Sequence, residues 1–471
     1  MSRPDQLELF PSAEGGREPG GARGQRRGLR LVHYLGSKLR FLDRICGAVE
    51  SVAPEGARVC DLFAGSGSVS HVLSTRWDVT SVDIQEYSRV LCSAILAPPA
   101  PEALQGLDVA GAARASELRA SLRDSLAPLL RHEGDCLERA RADESEDLCD
   151  LLEHGSLLAM QSGNDVPSTR LCRRMRQAWR SLRRAGLDTG PDTVITRHFG
   201  GVYFSWEQAI DLDSLLARVH GLDQPARDYF LAAALAVASE VVNTVGKQFA
   251  QPIRPRDARG RPKRHLARQM IRDRSMNVFD RFTAFAGRLD DLPRQERQHR
   301  VLRGDFQATL DDASIELDAV YADPPYTRDH YSRYYHVLET MALHDDPEVS
   351  TTMIRTGGRP RLSRGLYRVD RHQSPFCIKS KAPLAFDALF RAVAQRHIPL
   401  VLSYSPYRSG SENRPRLLTV EELEAIAGKH FPQVECERLG GVSHNKLNLS
   451  ERNVDVDHEA EVLFICGYGA R

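Results

Sequence analysis

The stretch "GARVCDLFAGSGSVSHVL", Gly56–Leu73, decides the fold class. Its apolar first half ends in an acid and is typical of a buried strand, and two glycines then turn the chain into a helix that begins near Ser68. A second short strand follows in "DVTSVDIQ", which starts at Asp78 and contains Asp83 near its end. This alternation predicts the start of a doubly wound α/β sheet.

The same alternation returns from about Gln298 onward. The segments "RVLRGDF", "LDAVYADPPY", "IPLVLSYSP" and "AEVLFICGY" are predicted strands, and "KAPLAFDALFRAVAQRH" and "TVEELEAIAGKHF" are predicted helices between them. Residues 98–297 lack this rhythm and favour long helices, as in "PARDYFLAAALAVASEVVNTVG". We therefore predict an Arg/Gly-rich disordered tail over 1–28, a sheet built from 29–97 and 298–471, and a helical insertion over 98–297.

Composition places the chain among water-soluble proteins of the cell interior. It is 41% hydrophobic and 27% charged, and it has no apolar run of membrane-spanning length and no signal-peptide pattern. Its nine cysteines include no C-x-x-C pair, so neither a disulfide framework nor a metal site is expected. The predicted location is the cytoplasm. A net charge of only +1 means that any affinity for nucleic acid must come from local basic patches.

The glycine turn carries the features of a ligand site. Glycines let the backbone approach a ligand, and free amides at a helix start favour an anionic group. Asp83, at the end of the next strand, is placed to meet ribose hydroxyls. The chain lacks a P-loop lysine and the third glycine of a dinucleotide fingerprint. S-adenosylmethionine fits these requirements, although a glycine turn needed only for packing is the alternative.

A second unusual feature is "DPPY", Asp323–Tyr326, which directly follows the apolar strand "LDAVYA". The prolines end the strand, yet a carboxylate and an aromatic ring stand at the broken edge. Packing offers no reason for that combination. The structural alternative is a proline turn capped by a surface acid.

Taken in order, these motifs resemble the D12 class of N6-adenine-specific DNA methyltransferases, the Dam-like α group. The resemblance rests on "YLGSK" (34–38), "DLFAGSG" (61–67), "GDF" (304–306) and "DPPY" (323–326), with the insertion between the second and third motifs. It implies a Rossmann-like S-adenosylmethionine-dependent methyltransferase fold whose large, mainly helical insertion is a target-recognition domain. It also implies double-stranded DNA as the substrate and S-adenosylmethionine as the cofactor.

The resemblance assigns roles residue by residue. It predicts the cofactor-binding residues Tyr34, Gly36, Ser37, Lys38, Asp61, Phe63, Ala64, Gly65, Gly67, Asp83, Ile84, Asp305 and Phe306. The family often has two glycines where this chain has Gly36 and Ser37. It also predicts the catalytic residues Asp323, Pro324, Pro325 and Tyr326.

The implied chemistry is transfer of a methyl group to the exocyclic nitrogen of a flipped adenine. Asp323 and the carbonyl of Pro324 would accept its two N–H bonds, and Tyr326 would stack on the base. The tyrosines of "YSRYYH", residues 331–336, have helical spacing, so they either line the pocket or belong to the core.

Two basic segments are candidates for DNA contact. Residues 170–184 hold seven arginines and no acid, whereas residues 253–274 combine a loop rich in turn residues with a basic helix. A solvated charged face is the alternative for both. The predicted DNA-binding residues are Arg254, Arg256, Arg259, Arg261, Lys263, Arg264 and Arg268. Segments 200–209 and 246–252 are possible site loops without an assigned role.

Three functional alternatives remain open at this stage. Cytosine N4 shares the amino-group chemistry, although that family more often has serine in place of Asp323. RNA and a protein glutamine are weaker acceptors. A DNA-binding scaffold with an inactive methyltransferase fold is the non-enzymatic alternative. The recognition sequence, a partner nuclease or phage-defence protein, and the oligomeric state are beyond what these patterns predict.

Overall fold

The computed structural model describes residues 31–34, 38–294, 296–326, 331–352, 361–405, 417–439 and 461–469. The predicted tail over 1–28 lies outside this part of the chain. The strands of the main sheet are β1 Arg58–Asp61, β2 Asp78–Asp83, β3 Arg300–Arg303, β4 Ala319–Ala322, β7 Leu400–Tyr404, β8 Gln433–Leu439 and β9 Glu461–Gly467. A separate two-stranded sheet is formed by β5 Thr351–Thr352 and β6 Arg361–Leu362.

The main sheet has the strand order β3-β2-β1-β4-β7-β9-β8. Strands β3, β2, β1, β4 and β7 are parallel, and β9 runs antiparallel to both of its neighbours. The two chain segments predicted to form the sheet meet in its middle, where β1 pairs with β4 in the register Cys60 to Val320. This parallel-dominated sheet confirms the Rossmann-like α/β prediction. Strand β8 was not predicted, because its half-buried sequence alternates only weakly.

Helices cover both faces of the sheet, which explains why its central strands β1, β4 and β7 are almost wholly buried. The helices that belong to the two sheet segments are α1 Leu42–Glu50, α2 Ser68–Leu73, α3 Glu86–Leu96, α14 Phe306–Asp311, α15 Tyr331–Tyr334, α16 His336–Leu343, α17 Ala382–Gln395 and α18 Val420–Ala427. Along β7, Val401 joins the core on one face, while Leu400 and Leu402 join the core on the other. The period of two along the strand thus separates two hydrophobic cores.

The segment between α3 and β3 is helical, as predicted. Its helices are α4 Pro101–Leu104, α5 Val109–Arg114, α6 Glu117–Arg141, α7 Glu146–His154, α8 Leu157–Gln161, α9 Thr169–Arg184, α10 Trp206–His220, α11 Ala226–Val241, α12 Leu266–Arg274 and α13 Val278–Asp290. Helices α6 to α9 and α12 enclose a third core around Leu126, Met175 and Trp206. None of the helices in the described part of the chain is long and apolar enough to cross a membrane.

Not all of this helical segment is separate from the sheet. Helix α11 packs against α3 and shares with the sheet the core that contains Val401. A two-pronged ion pair reinforces that contact: Arg89 of α3 holds Asp228 of α11, with Nη1 2.6 Å from Oδ2 and Nη2 2.8 Å from Oδ1. The part of the segment that has a core of its own therefore contains fewer residues than the predicted insertion, 98–297.

A pair of leucine substitutions tests this account of the sheet. Leu402 of β7 is fully buried, whereas Leu384 of α17 is 73% exposed. Leu402→Ala should lower the free energy of unfolding by about 2–5 kcal/mol because it opens a cavity in the sheet's core. Leu384→Ala should change it by no more than about 0.5 kcal/mol. Urea denaturation of both variants measures the difference, and equal effects would contradict the account.

Candidate active site

A cavity opens at the carboxyl ends of the parallel strands β1, β2, β3 and β4. Ligands of open α/β sheets bind at this edge, where neighbouring strands send their connections to opposite faces. The lining residues are Tyr34, Lys38, Asp61–Ser66, Ser68, Val69, Asp83–Gln85, Tyr87, Gly304–Phe306, Tyr321, Asp323–Pro325, Tyr331, Ser332, His372 and Ser374–Cys377. The cavity thus collects the predicted motifs from both sheet segments. Gly36 and Ser37 lie outside the described residues.

The glycine loop owes its shape to the backbone conformation of Gly65, whose φ is +55°. A side chain there would place its Cβ 2.6 Å from the Tyr34 hydroxyl oxygen. The Gly65 amide donates to Asp83 Oδ2 at 3.0 Å and so links the loop to the end of β2. Gly67 has another role, because it faces Ile95 and Cys92 of α3 and does not line the cavity.

Asp61 brings a buried carboxylate to the cavity wall. Its Oδ2 accepts a hydrogen bond from the Ser70 hydroxyl at 2.6 Å, and its Oδ1 has no partner among the described residues. Burial raises the pKa of Asp61 to about 7, although the Ser70 hydrogen bond acts in the opposite direction. A buried acceptor without a partner is costly, so this oxygen is suited to a donor or cation from a ligand.

Two further carboxylates face the same cavity. Asp83 is fixed by two backbone amides, those of Gly65 and Gln85, and its burial raises its pKa. Asp305 caps helix α14 by accepting from the Gln307 amide at 2.9 Å. Both side chains keep acceptor capacity, which suits hydroxyl or amino groups of a ligand.

Aromatic rings form the cavity's apolar part. The centroids of Phe63, Phe306 and Phe376 lie 5.4–5.8 Å from one another. Phe376 was not predicted, because it follows the DPPY segment at a distance along the chain and no motif surrounds it. Its position in a short 3₁₀ turn, Pro375–Cys377, brings it over the other two rings.

The charge of the cavity favours a cationic ligand. Four aspartates, Asp61, Asp83, Asp305 and Asp323, stand on its described wall beside one lysine, Lys38. His372 adds no cation at neutral pH, since burial lowers its pKa. S-adenosylmethionine carries a sulfonium and an ammonium group, and its adenine and ribose match the aromatic rings and the acidic side chains. The residues present therefore fit this cofactor.

Lys38 forms a buried charge cluster at the end of β4. Its Nζ lies 3.0 Å from Asp323 Oδ1 and 3.2 Å from Glu461 Oε1, and it donates to the Tyr326 hydroxyl at 3.1 Å. Burial alone would lower the pKa of Lys38, but Asp323 and Glu461 raise it well above its usual value. Glu461, which is 1% exposed and accepts from Ser403, was not predicted, since strand β9 carries no recognisable motif.

Asp323 is the most exposed member of this cluster. Its side chain is 21% exposed, whereas those of Lys38 and Glu461 are 5% and 1% exposed. Burial raises the pKa of Asp323, Lys38 lowers it, and Glu461 raises it. Lys38 therefore favours the charged form of a carboxylate that would otherwise tend to bind a proton.

The aromatic residues after Asp323 divide between cavity and core. Tyr326 is 6% exposed, packs edge-on against Tyr404 at 5.1 Å and does not line the cavity. Tyr331 does line it. Tyr335 is 1% exposed and stacks on Tyr34 at 4.8 Å, so it belongs to the core. The tyrosines of "YSRYYH" are thus a mixture of the two predicted kinds.

The three segments left without a role meet behind the cavity. Tyr203, from segment 200–209, donates to the carbonyl oxygen of Phe249, from segment 246–252, at 3.0 Å. The Phe249 amide donates to the carbonyl of Tyr334 at 3.0 Å, and Nε2 of His336 lies 3.1 Å from the Phe249 carbonyl oxygen. These contacts hold the helical segment against the DPPY side of the site.

The predicted DNA-binding residues lie on a loop and on the start of α12. All but one of them are exposed: Arg254, Arg259, Arg261, Lys263, Arg264 and Arg268. Arg256 differs, because its guanidinium pairs with Glu146, Asp150 and Glu153 of α7. Contact between DNA and Arg256 would have to compete with these ion pairs. The role of Arg256 is therefore better explained as fastening the loop to α7.

Comparison with known proteins agrees with this geometry. A family model described as D12 class N6 adenine-specific DNA methyltransferase matches residues 34–114 and 277–357. The resemblance to the D12 class is confirmed. The two matched D12 segments contain the glycine loop, Asp83, Asp305 and the DPPY motif, and they leave residues 115–276 unmatched.

Individual relatives are modification methylases. The chain is 27% identical over 210 residues to "Modification methylase LlaI" of Lactococcus lactis subsp. lactis, covering 43% of this chain and 28% of the relative. It is 39% identical over 114 residues to "Type II methyltransferase M.FokI" of Planomicrobium okeanokoites, covering 24% and 14%. It is 27% identical over 168 residues to "Type II methyltransferase M.NlaIII" of Neisseria lactamica, covering 35% and 44%. The matches thus span less than half the length of each relative.

Substitution of Gly65 tests the construction of the glycine loop. Gly65→Ala should lower the free energy of unfolding by about 1–3 kcal/mol, because alanine resists a positive φ and its Cβ meets Tyr34. It should also weaken S-adenosylmethionine binding measured by calorimetry. The control is Gly47→Ala in α1, where a Cβ meets no atom within 4 Å. That change should stabilise the protein by about 0.5–1 kcal/mol. Unchanged stability and cofactor affinity in Gly65→Ala would refute the assignment.

Proposed function

We propose that this protein is a site-specific DNA methyltransferase that transfers a methyl group from S-adenosylmethionine to the N6 amino group of a flipped adenine in duplex DNA. One observation carries the proposal: Asp323, Pro324 and Pro325 line the same cavity as Asp61 and Asp83. An amino-group acceptor site and a cofactor cradle from two distant chain segments thus share one space. The names of the relatives, a modification methylase and two type II methyltransferases, support a restriction-modification setting. We extend the proposal to a phage-defence setting and to a cytoplasmic location.

The cofactor's orientation follows from the cavity's chemistry. We assign the unpartnered oxygen of Asp61 to the ammonium group, Asp83 to the ribose hydroxyls, and Asp305 with Phe306 to the adenine. Phe63 and Phe376 complete the adenine pocket, while Tyr34, Ala64, Gly65 and Ile84 shape the wall between these points. S-adenosylmethionine, when bound, supplies a methyl group on a cationic sulfonium.

The protein's own part is to activate a weak nucleophile. The exocyclic nitrogen of adenine shares its lone pair with the ring, so it attacks poorly. The Asp323 carboxylate and the Pro324 carbonyl would each accept a hydrogen bond from one of its two N–H groups and so direct the lone pair toward the methyl group. Asp323 would also accept the proton that the nitrogen loses, directly or through water. Lys38 favours the ionised form that both tasks require.

The flipped base needs an aromatic face, and two tyrosines are candidates. The prediction assigned this role to Tyr326, whose ring lies beside Lys38 but is almost fully covered. Tyr331 already lines the cavity, and its ring centroid lies 6.3 Å from that of Tyr34. We propose that Tyr326 stacks on the base once the site is filled, with Tyr331 as the second candidate. We also propose that the helices between α3 and β3 form the target-recognition domain, with 253–268 contacting the DNA backbone.

Replacement of the acceptor carboxylate tests the proposed reaction. Asp323→Asn should lower the rate of tritiated methyl transfer to DNA by about 10²–10⁴-fold, because the neutral amide is a weaker hydrogen-bond acceptor for the amino group and does not take up its proton. Binding of S-adenosylmethionine should persist. The control Asp291→Asn changes an exposed aspartate at the end of α13 and should leave the rate unchanged.

The identity of the product separates the alternatives. Nucleoside analysis of the methylated DNA should show N6-methyladenine, whereas N4-methylcytosine would replace adenine by cytosine as the acceptor. No incorporation by folded wild-type protein on DNA of varied sequence would refute the enzymatic proposal. Such a result would favour the scaffold alternative.

The charge cluster makes a prediction about pH. The titratable groups around it are Lys38, Asp323, Glu461, Tyr321 and Tyr326. Activity requires ionised Asp323, so kcat/KM should fall as the pH drops through the pKa of Asp323. Lys38→Met removes the charge that lowers the pKa of Asp323 and should move this fall to higher pH. Glu461→Gln removes a charge that raises the pKa of Asp323 and should move the fall to lower pH.

Opposite shifts from two substitutions around one group cannot result from general damage to the fold. The measurement is the pH profile of kcat/KM for methyl transfer in the wild type and both variants. Shifts in the same direction would show that Asp323 does not control the profile.

A further inference from the structure

Two arginines stack against one tyrosine at the border of the cavity. The guanidinium carbons of Arg333 and Arg371 lie 5.5 Å and 5.4 Å from the ring centroid of Tyr367. Their sequence neighbours Ser332 and His372 both line the cavity. The pair therefore stands at the border of the cavity, beside Ser332 on the acceptor side and beside His372 on the side of Asp83 and Asp305.

Neither guanidinium pairs with a carboxylate among the described residues. Nε and Nη1 of Arg371 are shielded from solvent and have no hydrogen-bond partner there. Arg368, three residues earlier, shows the usual arrangement, with both nitrogens 2.6 Å from the oxygens of Asp345. Burial and the charge of Arg333 lower the pKa of Arg371. Two like charges on one ring, one of them with unsatisfied donors, call for an anion.

The pair also continues into the basic segment. Arg364, close to Tyr367 in sequence, donates from Nη2 to the carbonyl of Ile253 at 2.6 Å. The Tyr367 hydroxyl donates to the carbonyl of Ala250. Arg254, next to Ile253, is near enough that its charge lowers the pKa of Arg364, after the larger effect of burial. Cationic side chains thus run from the cavity border to residues 253–268.

We propose that Arg333 and Arg371, stacked on Tyr367, clamp a backbone phosphate of the DNA next to the target nucleotide. This rests on the proposed function, since it names the part of the DNA that the pair holds. Arg333 is exposed, so its planar N–H edge is open to two phosphate oxygens, whereas the shielded Nε and Nη1 of Arg371 would have to be uncovered to donate to the same group. A phosphate held there would fix the strand beside the base that Asp323 receives.

The salt dependence of DNA binding tests the clamp. Affinity for duplex DNA is measured over a series of salt concentrations for the wild type, Arg333→Gln, Arg371→Gln and the double variant. A phosphate contact contributes about 0.9 to the slope of log K against log salt. Because both arginines share one phosphate, each single variant should lose part of that amount and the double variant should lose all of it. At low salt each should bind DNA about 10-fold to 100-fold more weakly. S-adenosylmethionine affinity and thermal unfolding should match the wild type.

Two further variants separate charge from fold. Arg371→Lys retains the charge and should retain the slope while losing part of the affinity, because an ammonium lacks the planar fork. Arg288→Gln removes an exposed arginine that stacks on Phe285 at 4.6 Å on α13. Like Arg333→Gln and Arg371→Gln, this variant loses one positive charge and one arginine–aromatic contact, but it should leave the slope unchanged.

The clamp is overturned if both glutamine variants keep the wild-type slope, or if Arg288→Gln loses as much slope as they do. It is also overturned if the pair binds inorganic phosphate in calorimetry while the DNA slope stays unchanged, since the anion would then be free phosphate. Binding is measured without methyl transfer. A wild type that binds DNA but transfers no methyl group would therefore refute the proposed reaction and leave the clamp to be judged by its slopes.

Discussion

The buried contact of Lys38 with Asp323 and Glu461 is the interaction on which the site depends. It joins three distant parts of the chain: the residues before α1, the end of β4, and the start of β9. A buried ammonium is tolerated only with carboxylates around it, so these segments are held in one arrangement. Lys38 and Asp323 both line the cavity, and Asp323 is the more exposed of the two. The cluster therefore presents one carboxylate to a ligand and keeps the second, that of Glu461, behind it.

The rest of the cavity follows the same electrostatic logic. Asp61 and Asp83 are buried at the ends of adjacent strands, and burial raises the pKa of each. Backbone amides stabilise Asp83, whereas one oxygen of Asp61 has no partner among the described residues. Such a wall is stabilised by a ligand that carries positive charge. Cofactor binding and the conformation of the glycine loop are consequently linked through the Gly65 amide.

The helical segment between α3 and β3 is connected to this site at two levels. Its helix α11 shares a core with the sheet and pairs with α3 through Asp228. Its loop at Phe249 is bonded to Tyr203 on one side and to α15 on the other. The basic segment 253–274 follows this loop directly. A displacement of that segment would therefore shift the residues after the DPPY motif. That arrangement gives a physical route by which the proposed recognition of DNA would be coupled to the proposed placement of the base.

Local sequence determined the sheet's central strands, the glycine turn, and the aspartates at strand ends, because each depends on a short pattern of apolar, glycine and acidic residues. Parallel strands then bring these positions to one edge regardless of their separation along the chain. Glu461, Phe376 and Arg371 could not be predicted, since no local pattern marks them. Remote packing alone places Phe376 in the cavity, Glu461 against Lys38, and Arg371 beside the lining residue His372. Tyr326 shows the reverse case: its motif was recognised, yet its burial against Tyr404 is a property of packing. The local sequence thus determines which residue types stand at the strand ends. Only the tertiary structure decides how deeply a side chain is buried, which charged partner it meets and which face of a ring is free.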